Sequence, residues 1–414
     1  MSPYEEQARR AREAAGAIRR TSPGQRSAAI RAMAARLRTR MQDVLEANAA
    51  DVAEARGEGL GEAKLDRLRL DAGRMEEIAR GLEAVAAIPD PVGKVYDERR
   101  GLTGIRVQRV RVPLGVILMI FEARPNVTAE AAALCLRSGN AVLLRGGKEA
   151  VRSNRMLGSC LQGAAAQEGM PGNAIQVVEG DHEAVDELLQ LEQYISVVIP
   201  RGGEGLIRSV AQKSRIPVIK HYKGNCHVYV DADANQAMAV SVVFNAKVQR
   251  PATCNAAEKL VIHERAASVI LPILAKKLRE AKVELRGDAE ACRMIPGMKP
   301  ATDQDWTEEY LDLVMAVKVV RDLDEAIRHV NAYGSSHTDA IITQNEAAAR
   351  KFLTEVDSSS VMWNCSTRLA DGGQYGLGAE IGISTDRLHA RGPMGAEELT
   401  CLKWVVTGEG QLRT

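Results

Sequence analysis

The sequence predicts an α/β fold of two or three domains, one of which contains a doubly wound parallel sheet. Its 414 residues exceed the length at which a single core usually stops growing. Between Gly115 and Asp231, short apolar runs alternate with helical segments, which is the rhythm of βαβ units. Most of these runs lack apolar–polar alternation, as expected for strands buried on both faces of a sheet. The predicted strands are Gly115–Phe121, Ala141–Arg145, Ile175–Val178, Ile195–Ile199, Pro217–Ile219 and His227–Asp231.

The composition excludes several classes of function. A net charge of +1 provides no field that would attract nucleic acid or an anionic membrane, and 3% aromatic residues argue against base stacking. No apolar run approaches the roughly 20 residues that a membrane helix needs. The seven cysteines are scattered without a Cys-x-x-Cys pair, which favours a reducing compartment over a disulfide framework or a zinc site. Because the first residues carry no apolar signal segment, we predict a cytoplasmic protein.

The chain begins with helices that we expect to serve only in packing, from Tyr4 to about Ala87. Further on, residues 105–112 largely alternate apolar and polar side chains, which predicts a strand with one solvated face. Such a strand could pair with another subunit, and the final strand, residues 402–407, is its natural partner. An ordinary edge strand is the alternative.

After Asp231 we predict a second domain, which contains the stretch most suggestive of chemistry. An amphipathic helix, residues 235–248, is followed by Pro251, which cannot continue a helix, and then by Cys254. The cysteine should therefore lie on a turn among small residues, where Lys247 and Arg250 would favour its thiolate form. A buried, inert cysteine is an equally good interpretation of this pattern.

Two basic, glycine-rich turns follow predicted strands. They are Arg145-Gly146-Gly147-Lys148 and Arg201-Gly202-Gly203, and each precedes a helical segment. Ligands of open parallel sheets bind at the carboxyl ends of strands, and a helix N-terminus attracts anions. We therefore predict that both turns bind cofactor phosphates, with solvated surface cations as the alternative for the first turn.

Several longer stretches, spread in order over nearly the whole chain, resemble the aldehyde dehydrogenase superfamily. Within it they are most similar to the gamma-glutamyl phosphate reductases, also called glutamate-5-semialdehyde dehydrogenases. The stretches that carry the resemblance are Phe121–Thr128, Ile199–Gly203, His221–His227, Asn245–Ala256, Asn364–Arg368, Gly376–Thr385 and Arg391–Gly395.

The resemblance implies an aldehyde dehydrogenase-like fold with two doubly wound parallel-sheet domains and a small β oligomerisation arm. The NADP-binding domain would comprise residues 1–98 and 113–230, and the catalytic domain residues 231–365. The arm strands would lie in residues 99–112 and 398–414. Residues 366–397 would form loops that return over the active site. We expect a homo-oligomer, either a dimer or a tetramer.

The resemblance also implies a reaction, the NADPH-dependent reduction of L-glutamyl 5-phosphate to glutamate 5-semialdehyde, a step toward proline. Cys254 would attack the acyl carbon and form a thioester, and Asn126 is the candidate side-chain donor for the oxyanion. Hydrolytic members carry a glutamate ahead of the cysteine, whereas this chain has Lys220-His221-Tyr222 there. Without that base, water should not cleave the thioester.

Binding residues follow from the same resemblance. His221, Lys247 and Arg250 are candidates for the substrate phosphate, and Arg124 for a substrate carboxylate. The candidates for NADP are Arg145, Lys148, Arg201, Gly202, Gly203 and Glu309. A lysine at position 148, where NAD-preferring members commonly have glutamate, favours NADP over NAD.

Several of these residues and the predicted activity have alternative interpretations. His221 and His227 could be structural histidines, and we expect no metal site because no third ligand stands at a usual spacing. The chain could instead be another acylating aldehyde dehydrogenase or a catalytically silent nucleotide-binding scaffold. A glutamate 5-kinase that supplies the acyl phosphate is a possible partner.

Overall fold

The computed structural model describes residues 1–413, which form a set of N-terminal helices, two parallel sheets, a three-stranded antiparallel arm and a short two-stranded sheet. The α-helices are α1 (Pro3–Ile18), α2 (Pro23–Thr39), α3 (Met41–Gly57), α4 (Glu62–Leu68), α5 (Ala72–Ala87), α6 (Asn126–Arg137), α7 (Val151–Gln167), α8 (His182–Leu188), α9 (Glu204–Lys213), α10 (Gln236–Val248), α11 (Glu264–Glu280), α12 (Ala289–Met294), α13 (Asp303–Thr307), α14 (Leu323–Tyr333) and α15 (Glu346–Glu355). The strands are β1 (Val95–Arg100), β2 (Arg106–Pro113), β3 (Val116–Phe121), β4 (Ala141–Gly146), β5 (Ile175–Val177), β6 (Val197–Arg201), β7 (Cys226–Val230), β8 (Ala257–His263), β9 (Glu284–Gly287), β10 (Lys299–Pro300), β11 (Val314–Val320), β12 (Thr338–Ile342), β13 (Ser360–Trp363), β14 (Gly382–Ser384), β15 (Gly392–Met394) and β16 (Thr400–Thr407).

The N-terminal helices form as predicted, and local capping sets where they begin. Ser2 accepts a hydrogen bond from the Glu5 amide at the start of α1, and Ser22 forms a capping box with Gln25 at the start of α2. Helix α2 packs against α5 and α7, which joins these helices to the first parallel sheet.

The first parallel sheet has the strand order β5-β4-β3-β6. The chain runs outward from β3 to β5 and then returns to place β6 on the other side of β3. The crevice at this reversal, between the carboxyl ends of β3 and β6, is where open α/β sheets bind ligands. Val116–Phe121 and Ala141–Gly146 are buried along their whole length, as their apolar sequences predict.

The second parallel sheet has the order β10-β9-β11-β8-β7-β12-β13. Strand β7 pairs with β8 and β12, so the segment His227–Asp231, predicted as the last strand of the first domain, belongs to the second sheet. The predicted domain boundary between residues 230 and 231 is therefore wrong. The sequence of a short apolar strand does not indicate which sheet the strand joins. Pro217–Ile219 forms only an isolated bridge, between Val198 and Val218.

The third sheet is antiparallel and is ordered β1-β2-β16. Its last strand pairs with β2 from Thr400 opposite Pro113 to Thr407 opposite Arg106, as predicted. Strand β1 was not predicted, and the bound at 98/99 falls inside it, because its charged sequence lacks the alternation of a half-buried strand. Tyr96 and Trp404 of this sheet are more than half exposed.

Residues 366–397 run from the second sheet back to the first domain. Ile381 and Met394 are buried in the core of that domain, and β14 pairs with β15 between them. An ion pair of 3.0 Å between Lys220 and Asp386 ties this segment to the chain just before β7. Among the described helices, none is long and apolar enough to cross a membrane.

Candidate active site

Cys254 lies on the turn between α10 and β8, as the sequence predicts, and its side chain is half-buried. Gly224 packs directly on this turn, since a Cβ added there would overlap the backbone carbonyl of Cys254. The thiol of Cys226 donates to the same carbonyl oxygen at 3.1 Å. Cys226 begins β7, so this strand supports the turn that leads into the neighbouring strand β8.

Two histidines meet Cys254 at the amino ends of three adjacent strands. His221 precedes β7, Cys254 precedes β8 and His337 directly precedes β12. One donor atom from each of the three side chains lies within 4.8 Å of the other two. The prediction of no metal site rests on sequence spacing, which does not show that folding brings a thiol and a second histidine beside His221.

His221 is held in one tautomer by the returning segment. Its Nδ1 lies 2.9 Å from the carbonyl oxygen of Ile383, which can only accept, so Nδ1 carries the hydrogen. In the neutral ring, Nε2 then has a free lone pair. His221 can therefore accept a proton or bind a cation through that nitrogen.

His337 was missed by the sequence analysis. It is fully buried, its Nδ1 lies 2.9 Å from the Thr338 hydroxyl, and its Nε2 has no hydrogen-bond partner among the described residues. Burial lowers the pKa of His337 to about 4, so the ring is neutral near pH 7. The only sequence signal was a polar residue at the start of an apolar strand, and such residues are common.

Two arginines, Arg124 and Arg368, lie near the thiol. Burial lowers the pKa of Arg124 to about 10, and the positive charges of Arg201 and Arg67 add to this effect. Cys254 acts in the opposite direction. Burial is the main cause that lowers the pKa of Arg368, and the nearby charge of Arg250 lowers it further. Cys254 acts in the opposite direction. Arg124 and Arg250 were both predicted, whereas Arg368 lies in a family-like stretch and was given no role.

Lys247 does not reach this site, which corrects its prediction as a phosphate ligand. Its side chain is fully buried and pairs with Glu258 at 3.3 Å. Burial lowers the pKa of Lys247, and Glu258 opposes the shift. The helix could have revealed this orientation, because Ala239, Val243 and Ala246 place Lys247 beside the buried face of α10.

Asn126 opens α6, and its amide donates to Glu130 at 3.0 Å, one turn along the same helix. In this structure the amide is therefore already engaged. Its role as the oxyanion donor stays a prediction.

The first basic turn presents only one of its two cations to solvent. The side chain of Lys148 is 79% exposed and lies 3.2 Å from Glu58. Arg145 instead donates to the carbonyl oxygens of Gly146 and Gly180, and burial lowers its pKa. Lys148 is therefore exposed, and an anion would compete with Glu58 for it, whereas the backbone carbonyls engage Arg145.

The second turn lies at the reversal of the first sheet. Gly203 caps α9 and has open space around its Cα, but its N–H donates to Glu122 at 3.0 Å. At Gly202, a Cβ would come within 2.6 Å of the same carboxylate. Arg201 has a buried Nε without a partner among the described residues and lies against Gly382 of the returning segment. A phosphate at this helix start would have to displace Glu122.

Glu309 connects the candidate cofactor residues to the cysteine turn. Its Oε1 accepts a hydrogen bond of 2.8 Å from the N–H of Gly224, the residue that packs on Cys254. Burial raises the pKa of Glu309, and the Gly224 N–H opposes this rise. A ligand held by Glu309 would therefore lie close to the thiol.

Comparison with known proteins assigns the chain to a family. The model of the aldehyde dehydrogenase family matches residues 2–312 and 299–405. A gamma-glutamyl phosphate reductase from Xanthomonas axonopodis pv. citri (strain 306) is 51% identical over 403 residues, covering 97% of this chain and 97% of the relative. One from Halothermothrix orenii is 48% identical over 408 residues, covering 98% of each chain.

A solved structure is similar over its full length. The gamma-glutamyl phosphate reductase of Thermotoga maritima has a TM-score of 0.97 and 45% identity, covering 100% of both chains. The resemblance stated from the motifs is thus confirmed. The two relatives named above are gamma-glutamyl phosphate reductases, and the chain belongs to the aldehyde dehydrogenase family.

Proposed function

We propose that this protein reduces L-glutamyl 5-phosphate to glutamate 5-semialdehyde and phosphate with NADPH, in the second step of proline synthesis from glutamate. The observation that carries the proposal is the half-buried thiol of Cys254 on a turn against which Gly224 packs, with a donor nitrogen of His221 within 4.8 Å of the sulfur and with Arg124 and Arg368 nearby. The full-length relatives at about half identity support it. The substrate is anionic at both ends, and guanidinium groups suit carboxylates and phosphates.

The first step would be attack of the Cys254 sulfur on the acyl carbon. A carbon–sulfur bond forms, the carbon–oxygen bond to phosphate breaks, and the thiol proton passes to Nε2 of His221. The geometry supports this acceptor, because Ile383 fixes the hydrogen of His221 on the other ring nitrogen. Arg250 and Arg368 would hold the departing phosphate, and Arg124 the substrate carboxylate.

The second step would reduce the thioester to the aldehyde, and NADPH supplies the hydride when it is bound. His221 would return its proton to the sulfur, which restores the thiol. Hydrolysis would be disfavoured because His221 carries the proton taken from Cys254 while the thioester exists, so its Nε2 has no lone pair with which to activate water.

The cofactor proposal depends on the first sheet. Lys148 lies at the carboxyl end of β4 with an exposed ammonium group, which fits the extra phosphate of NADP. The crevice beside Arg201, Gly202 and Gly203 would accept the pyrophosphate, with displacement of Glu122 from the Gly203 N–H. Glu309 would hold the nicotinamide ribose. Arg145 fits such a role poorly because backbone carbonyls already occupy it.

The test is oxidation of glutamate 5-semialdehyde with NADP, with and without inorganic phosphate. NADPH should form only with phosphate, and Cys254→Ala should abolish it. Cys292→Ala is the matched control, because Cys292 is also half-buried but lies in α12 and contacts Gly287. Oxidation that requires coenzyme A instead would indicate another acylating aldehyde dehydrogenase. Cofactor binding without any oxidation would indicate a silent scaffold.

Assembly is also a proposal. The antiparallel sheet β1-β2-β16 carries exposed Tyr96 and Trp404, which suits an oligomerisation arm in a homo-oligomer. A glutamate 5-kinase partner and a cytoplasmic location stay predictions.

A further inference from the structure

We propose that His221, Cys254 and His337 bind a zinc ion, which would reversibly block the nucleophilic thiol. The three donor atoms already lie within 4.8 Å of one another. Imidazole nitrogen and thiolate sulfur are the donors that zinc prefers, in tetrahedral sites with bonds of about 2.0–2.3 Å. Such bonds place donors roughly 3.5 Å apart, so side-chain shifts of about 1 Å would close the site.

The unused nitrogen of His337 supports this inference independently. His337 is 0% exposed and its Nε2 has no hydrogen-bond partner among the described residues. A buried ring nitrogen without a partner loses the hydrogen bond that water would give it, and a metal ion restores an equivalent interaction. The other nitrogen, Nδ1, is occupied by the hydroxyl of Thr338 at 2.9 Å.

Both histidines are also oriented as zinc ligands usually are. Such histidines typically donate their second ring N–H to a carbonyl, carboxylate or other acceptor, which orients the ring. The carbonyl of Ile383 does this for His221, and the hydroxyl of Thr338 can do it for His337. The two rings meet edge to face, with centroids 5.3 Å apart.

Strand pairing and the packing of Gly224 hold the backbone that carries the three ligands. The ligands precede three neighbouring parallel strands, and Gly224 holds the cysteine turn against β7. Three protein ligands leave a fourth position for water, as in open zinc sites. On binding, the thiol would release its proton to solvent and a zinc–sulfur bond would form, so the sulfur could no longer attack an acyl carbon.

The experiment is a titration of the metal-free full-length protein with Co²⁺ alone, followed by displacement with Zn²⁺. One equivalent should produce the absorption bands of four-coordinate cobalt and a sulfur-to-cobalt charge-transfer band. Cys254→Ser should remove the charge-transfer band, and His221→Gln should weaken binding by roughly tenfold or more. Because no substrate or NADPH is present, the result does not depend on the proposed reaction.

His337→Gln should weaken binding as strongly as His221→Gln, and circular dichroism would show whether this buried variant folds. If it does not fold, the half-buried His221 and Cys254 variants still decide the question. The matched controls are His389→Gln and Cys292→Ser, which should bind cobalt like the parent protein. Unchanged binding in the His221 and Cys254 variants, or loss of binding in either control, would overturn the zinc site.

Discussion

The ammonium group of Lys247 and the carboxylate of Glu258 lie 3.3 Å apart, and both side chains are completely shielded from solvent. Glu258 also accepts a hydrogen bond from the Tyr310 amide at 3.2 Å, which links the end of α10 to β8 and to the segment before β11. Two basic residues near a cysteine suggested a phosphate site, but only Arg250 is exposed there. The buried lysine instead holds together the elements that position the turn.

Lys247→Met should therefore lower the free energy of unfolding by roughly 3 kcal/mol, because it leaves a buried carboxylate without its main partner. Denaturant unfolding of the parent and the variant measures this loss. Lys276→Met is the matched control, since Lys276 is exposed on α11 and its loss should change stability by less than about 0.5 kcal/mol. Equal stability of both variants would contradict a structural role for the pair.

Gly224→Ala should lower kcat by about a hundredfold, because an added Cβ would overlap the Cys254 backbone and displace the thiol. Steady-state kinetics in the oxidative direction measures the effect. Gly163→Ala in α7 is the control, as its Cβ would meet no atom within 4 Å. Full activity of the Gly224 variant would show that the turn can move without cost.

Lys148→Glu should reduce kcat/KM with NADP by roughly tenfold or more while sparing NAD, because the new carboxylate would repel the additional phosphate. Kinetics with both cofactors gives the ratio that decides this prediction. Lys276→Glu makes the same charge change on α11 and should leave the ratio unchanged. If NADP preference persisted in Lys148→Glu, another residue would have to read that phosphate.

Arg368→Gln should raise KM for inorganic phosphate by roughly tenfold in the oxidative assay and leave KM for NADP unchanged. The reason is that Arg368 lies near Cys254 and Arg250, while its Nε is oriented by Gln249 at 2.8 Å. Arg293→Gln, at an exposed position on α12, is the control. If only KM for NADP changed, Arg368 would not be a ligand of the phosphate.

His329 should make stability depend on pH. Burial, with His227 nearby, lowers its pKa from 6.5 to about 3 in the folded protein. The stabilisation that depends on neutral His329 is then fully present above about pH 6.5. It is lost as the pH falls toward the pKa of His329 in the folded protein, because in this range only the unfolded chain takes up the proton. The slope can reach about 1.4 kcal/mol per pH unit.

His329→Phe removes this titration and keeps a ring among Trp306, Tyr333 and His227. Urea unfolding between about pH 6.5 and pH 4.5 should therefore show a shallower loss of stability in the variant than in the parent. His182→Gln changes an exposed histidine and should keep the parental slope. Parallel slopes in all three proteins would exclude His329 as a source of the pH dependence.

Much of the fold could be predicted because its signals are local. The unalternating apolar runs of β3 and β4 report burial on both faces, and Pro251 ends α10 so that Cys254 lies on a turn. Strand β1 escaped prediction because its exposed residues carry no burial pattern. Strand β7 was assigned to the wrong sheet because an apolar strand does not encode its neighbours.

The sequence by itself determined the alternation of strands and helices, the turn that carries Cys254 and, through its motifs, the family. Only the tertiary structure decided that His337 joins His221 and Cys254, that Arg368 accompanies Arg250, and that Lys247 turns inward to Glu258. Backbone propensity and hydrophobic period act over a few residues, so they can be read along the chain. Contacts between distant residues depend on the order of strands in a sheet, which is settled only when the whole core is packed.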